Sequence, residues 1–105
     1  MDNLGQKIRS LRESQELLLR QVAASIKIDQ ALLSKIERGE RIATKNQIIA
    51  LASFFEIDER ELLTLWLGEK IAYEIKDEDI ANDALKVAEK AIQYLRNPKG
   101  KITHV

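Results

Sequence analysis

Between Ile28 and Gly39 the chain reads I-D-Q-A-L-L-S-K-I-E-R-G, and four of these residues, Gln30, Ser34, Lys35 and Arg38, have types and spacing suited to hydrogen-bonding a partner. At 100° per residue Gln30, Ala31, Ser34, Lys35 and Arg38 gather on one side of a helix, while Leu32, Leu33 and Ile36 gather on the other. The first side holds no acid, and its Gln and Ser stand near the helix N-terminus, where a helix lying in a major groove meets base edges. Gln suits a bidentate contact with adenine, Ala an apolar contact, and Ser and Lys a single bond to a base or, for Lys, to a phosphate. The plain alternative is a solvated face. Asp29 stands where an N-cap would accept backbone N–H bonds, and Gly39 supplies the stop. Catalytic chemistry finds little material. The chain has no Cys and one His, His104, in a polar tail, and its carboxylates fall at helix starts or on solvated faces. No catalytic residue, metal ligand or cofactor is therefore expected, and His104 reads as solvated.

This face needs elements to hold it. Leu4, Ile8 and Leu11 form one apolar stripe of a first helix, and Val22, Ala23 and Ile26 the inner side of a short second one. Between about Arg20–Ile26 and Gln30–Arg38 stand only Lys27, Ile28 and Asp29, the turn length of a helix-turn-helix. Thr44-Lys45-Asn46-Gln47 is a capping box, opening a fourth helix with Ile48, Leu51, Ala52 and Phe55 inward. Arg12 and Glu37 lie at the edges of their helices' apolar sides, so the two are expected to meet as an ion pair. Such a pair specifies an arrangement more surely than it stabilises one.

Residues 4 to about 63 resemble the Cro/C1-type helix-turn-helix family of bacterial and phage transcriptional regulators. The resemblance is carried by I-R-S-L-R at Ile8–Arg12, Val22-Ala23, S-K-I-E-R-G at Ser34–Gly39, I-I-A-L-A at Ile48–Ala52 and F-E-I-D-E-R-E-L-L at Phe55–Leu63, in register without an insertion. It implies an all-α, lambda-repressor-like bundle of four to five short helices, an Arg12–Glu37 pair linking the first helix to the recognition helix, and double-stranded DNA as partner. Three positions depart from the family pattern. Leu17-Leu18-Leu19 replaces an apolar residue followed by Ser or Thr and Gln, so the backbone contact falls to Arg20 and Gln21, or the leucines serve a partner surface. Lys27 replaces a turn Gly, and Glu16 the Gly that often ends the first helix. Arg20, Gln21, Arg38, Arg41, Lys45 and Asn46 flank the base-facing side and are expected on phosphates.

Charge agrees once its distribution is considered. The whole chain balances 17 basic against 17 acidic residues, but from Arg20 to Lys45 six basic residues face three acidic ones, 6 − 3 = +3. Residues 58–105 carry eight basic and ten acidic side chains, 8 − 10 = −2, so the acidity lies away from the proposed DNA face. With 105 residues, 45% of them hydrophobic, the chain can bury a core. No apolar run reaches membrane-spanning length and no signal peptide precedes the first helix, which places the protein in the cytoplasm.

Past residue 58 the pattern changes. Asp58 caps a further helix in which Leu62, Leu63, Leu65, Trp66 and Leu67 leave little polar circumference, and after a break near Lys76-Asp77 a long amphipathic helix runs from Glu78 to Arg96. Its stripe includes Ile80, Ala84, Leu85, Val87, Ala91, Ile92 and Leu95. The expected organisation is 1–63 for the DNA-binding domain, 64–96 for a dimerisation extension and 97–105 for a flexible tail. A homodimer interface of Leu65, Trp66, Leu67, Ile80, Ala84, Val87, Ala91 and Leu95 is favoured over a last helix folded back on its own chain. The reading is a homodimeric regulator on a pseudo-palindromic operator. Its alternatives are an antitoxin whose C-terminal helices hold a protein partner, and the controller of a restriction-modification operon.

Overall fold

The computed structural model describes residues 3–97, and along them six helices follow one another: α1 (Leu4–Ser14), α2 (Leu19–Ser25), α3 (Gln30–Glu37), α4 (Lys45–Phe55), α5 (Glu59–Ile75) and α6 (Ala81–Arg96). No strand occurs among the described residues. The chain divides into two units, one through Ala72 and one from Tyr73.

In the first unit the helix starts follow local polar chemistry. Asn3 and Gln6 form a reciprocal capping box at α1, with bonds of 2.9 and 3.0 Å, and Thr44 and Gln47 form another at α4, with bonds of 3.2 and 2.9 Å. At α2 half of such a box survives. Leu18 has no acceptor to offer the first turn, but its own N–H donates to Gln21 Oε1 at 2.7 Å. Asp58 accepts from the Arg60 N–H at 3.0 Å, opening α5 as expected. Asp29 departs from expectation. Its backbone takes the N-cap conformation and its carbonyl accepts from Leu33 N–H at 3.1 Å, but its carboxylate takes no bond from the first turn of α3.

The ends of α1, α2, α3 and α4 share one device. A residue in the left-handed region donates its N–H three residues back, and the next residue donates five back. The left-handed residues are Glu16 (φ 55°), Lys27 (φ 60°), Gly39 (φ 75°) and Glu56 (φ 56°). After each of the three non-glycine stops an apolar residue, Leu17, Ile28 or Ile57, turns back to pack against the core. Burial of that residue offsets the steric cost of the left-handed backbone, which is why Glu and Lys serve where Gly is the easier choice.

The core is Leu4 and Ile8 of α1, Val22 and Ala23 of α2, Leu33 and Ile36 of α3, Ala43, then Ile48, Leu51, Ala52 and Phe55 of α4, and Leu62 and Trp66 of α5. Trp66 corrects one expectation. Sequence pattern alone puts it in a dimer interface, yet its ring is buried within the first unit and its Nε1 donates to the Ala43 carbonyl at 2.6 Å. An indole is both large and polar at one edge, and here both properties find partners inside the protomer. Residues 64–72 accordingly belong with the first unit rather than with an extension starting at 64. The Leu4 N–H also donates to the Glu69 carboxylate, and Lys7 Nζ lies 3.3 Å from Glu61 Oε1, so α5 is tied to α1 at two points.

In the second unit, turns closed by Glu78 N–H to Ile75 carbonyl (2.9 Å) and Ala81 N–H to Glu78 carbonyl (3.1 Å) delay the start of α6 from the expected Glu78 to Ala81. None of its residues is buried, and Val87 and Leu95 are 67% and 65% exposed. The tail expected from 97 lies, after Asn97, outside the described residues, as does His104.

Candidate nucleic-acid interface

Helix α3 buries Leu33 and Ile36, half-buries Leu32, and packs against α1 and α2. That leaves Gln30, Ala31, Lys35 and Arg38 exposed and Ser34 half-buried on the opposite side. The expected base-facing set is thus one continuous surface.

Two features fix how this helix stands. Arg12 forms a two-pronged bond to Glu37, Nε to Oε2 at 2.8 Å and Nη2 to Oε1 at 3.0 Å, while its Nη1 donates to the Leu17 carbonyl at 2.9 Å. One guanidinium therefore joins α1, the loop before α2 and the last turn of α3. Glu37 is buried and Arg12 half-buried, and the bond from Glu37 holds Arg12 more firmly protonated than an ordinary arginine. The second feature is Gly5. A methyl group there would lie 2.6 Å from the Ile36 carbonyl oxygen and closer still to that of Glu37. Only a glycine lets α1 approach the end of α3 this closely.

The flanking cations and amides are Arg20, Gln21, Arg41, Lys45 and Asn46, all exposed. Lys45 and Asn46 stand in the first turn of α4, where backbone N–H groups and the helix dipole favour an anion. The carbonyl of Ala43, anchored by Trp66, pins the loop that carries Arg41. Gln21, expected on a phosphate, already uses its Oε1 on the Leu18 N–H, so its amide nitrogen is what it can offer. Arg38, expected on a phosphate, is bonded within the chain. Its Nε donates to Glu40 Oε2 at 2.6 Å, its Nη2 to Glu40 Oε1 at 3.4 Å and its Nη1 to Ser34 Oγ at 2.8 Å. These bonds hold the Glu40 carboxyl below its ordinary value of 4.5, so the pair is charged at neutral pH.

A helix-turn-helix family model matches residues 8–62, a span that covers α2, the turn and α3 together with most of α1, all of α4 and the start of α5. The chain belongs to the Cro/C1-type helix-turn-helix family. This helix-turn-helix protein is a DNA-binding transcriptional regulator, and the family is not an enzyme family. Among solved structures it is similar to the restriction-modification controller protein C.AhdI from Aeromonas hydrophila, with 32% identity and a TM-score of 0.53 over 56% of this chain and 89% of that one. No curated protein sequence matched significantly. Among the described residues no group of His, Cys, Asp and Glu could hold a metal ion, and no helix is long and apolar enough to cross a membrane.

Sequence reasoning did not find Gly5, Glu40, Glu69 or the true place of Trp66. An isolated glycine inside a helical stripe was a usable signal for close approach. Glu40 and Glu69 gave none, because their partners are set by backbone geometry. The residues expected at a dimer contact divide accordingly: Leu65 is half-buried against the core, while Leu67 on α5, Ile80 just before α6, and Val87, Ala91 and Leu95 on α6 are exposed, and Ala84 is half-buried.

Proposed function

We propose that the protein is a sequence-specific repressor or controller that binds a pseudo-palindromic operator in the cytoplasm as a homodimer. The observation that carries the reading is the exposed, acid-free face of α3, with Gln30, Ala31, Ser34 and Lys35 on a helix whose other side is buried. In it Gln30 and Ser34 meet base edges, Ala31 gives an apolar contact, and Lys35 reaches a base or a phosphate. Arg20, Gln21, Arg41, Lys45 and Asn46 hold the backbone and add affinity to all sequences alike. Dimerisation uses the exposed apolar side of α6 together with Leu67, which are left over once the first core is closed. The likeness to C.AhdI favours a controller of a restriction-modification operon among the regulator types. An antitoxin reading keeps the same DNA face and gives α6 to a different protein.

Selection of bound duplexes from a random pool tests the assignment. Wild-type protein should enrich two half-sites one helical turn apart, about 34 Å. Gln30→Ala should relax an adenine preference at one position of each half-site, at a cost of about 1 to 3 kcal/mol. An unchanged motif removes Gln30 from base contact.

A further inference from the structure

We propose that Arg38 reads a guanine in each half-site and that Glu40 is the positioning residue that aims it. The inference rests on the operator-binding reading above and deepens it. Arg38 stands at the last turn of α3, but its side chain reaches back one turn, where Nη1 donates to Ser34 Oγ at 2.8 Å in the middle of the base-facing side. Glu40 lies beyond the left-handed Gly39, and that turn brings its carboxylate against Nε at 2.6 Å and Nη2 at 3.4 Å. The guanidinium is thereby held on two sides.

Three of its five N–H donors are used in these bonds, which leaves one on each terminal nitrogen. Two adjacent donors on the outer edge of a guanidinium are the fork that guanine O6 and N7 accept, the commonest base-specific contact in the major groove. A phosphate contact would need neither the aim nor the partner. The Arg38–Glu40 pair has no net charge, so it contributes little to the displacement of counterions that phosphate cations produce, and a carboxylate beside a phosphate is repelled. Among the described residues Arg20, Arg41 and Lys45 have no such acid bonded to them, and they suit that task. The arrangement also engages Ser34. With one lone pair taken by Arg38, its hydroxyl hydrogen is directed to a neighbouring base acceptor.

The test uses the full chain and its Arg38→Gln and Glu40→Gln variants, each checked for unchanged thermal unfolding, in selection from a random duplex pool and in binding to one operator and one unrelated duplex over a salt series. Wild type should select a guanine in each half-site. Arg38→Gln should lose that guanine, with a fall in preference of about tenfold or more. Glu40→Gln keeps the Arg38 charge but not its aim. It should weaken the same guanine position while binding the unrelated duplex more tightly, with a salt slope steeper by about one unit. An Arg38→Gln variant with an intact motif takes Arg38 off the bases and overturns the proposal. A Glu40→Gln variant with an unchanged guanine preference removes the positioning role. Wild-type protein that enriches no sequence overturns the operator reading itself, and this proposal with it.

Discussion

Gly5 shows how one atom's absence sets the angle of a recognition helix. Its α-carbon faces the Ile36 and Glu37 carbonyls, which are the last of α3 and are themselves fixed by the Arg12 fork. Neither side can give, so Gly5→Ala should destabilise by about 1 to 3 kcal/mol, the range for overpacking a tight site, rather than stabilise as Ala does inside an exposed helix. Urea unfolding at neutral pH measures this, and an unchanged or higher midpoint would show that α1 shifts freely. Trp66 works at the same scale. Trp66→Phe keeps most of the ring but leaves the Ala43 carbonyl without its donor, a loss of about 1 to 3 kcal/mol for a buried group. Because Ala43 ends the loop carrying Arg41, faster amide exchange at residues 39–43 should accompany the loss. Exchange unchanged in that loop would separate Trp66 from the DNA face.

At the scale of elements, the repeated helix stop is the main finding. Four helices close through the same pair of backbone bonds, yet only α3 has glycine at the left-handed position. Glu56 is the least suited of the others, since it combines a side chain at φ 56° with a negative charge at the carbonyl end of α4. Glu56→Gly should therefore stabilise by about 0.5 to 1 kcal/mol, the steric and dipole relief less the chain entropy of glycine. Chemical denaturation resolves a change of this size, and a lower midpoint would mean that the Glu56 side chain makes a contact outweighing the strain. The stops matter for function because each sets the direction in which the next helix leaves. The Lys27 stop sets the angle between α2 and α3, and the Gly39 stop turns Glu40 back onto Arg38.

For the whole molecule, the unanswered demand is the apolar side of α6. Val87 and Leu95 are two-thirds exposed and no residue of that helix is buried, a surface that water disfavours by about 25 cal/mol per Å² of apolar area. The proposed homodimer covers it with a second copy of the chain, the arrangement that a pseudo-palindromic duplex requires. A Val87→Glu, Ala91→Glu double variant should then be monomeric by light scattering, keep the helical content of α1 to α4, and lose operator affinity steeply because the second half-site no longer binds at high effective concentration. A variant that stays dimeric places α6 outside the interface and favours the fold-back or antitoxin arrangement.

The amino-acid sequence alone determined the elements and the two sides of α3. Periodicity placed Leu33 and Ile36 inward and Gln30, Ala31 and Lys35 outward, the Thr44–Gln47 box opened α4, and the short helix-turn-helix spacing was legible, although the turn takes the four residues from Ile26 to Asp29 rather than the expected three from Lys27. These are short-range properties, set by residues within about one turn of each other. Tertiary structure alone decided what happens between distant residues. It turned Trp66 from a surface anchor into a core strut, because whether a leucine-rich helix faces a partner or its own bundle depends on how far the bundle's open side extends. It brought Glu69 to the start of α1 across 65 positions of sequence. It also bound Arg38 to Glu40, since the turn at Gly39 and not any periodic pattern carries Glu40 back to it. Helical spacing fixes which side of an element a residue occupies; which partner meets it there follows from the path the backbone takes between elements.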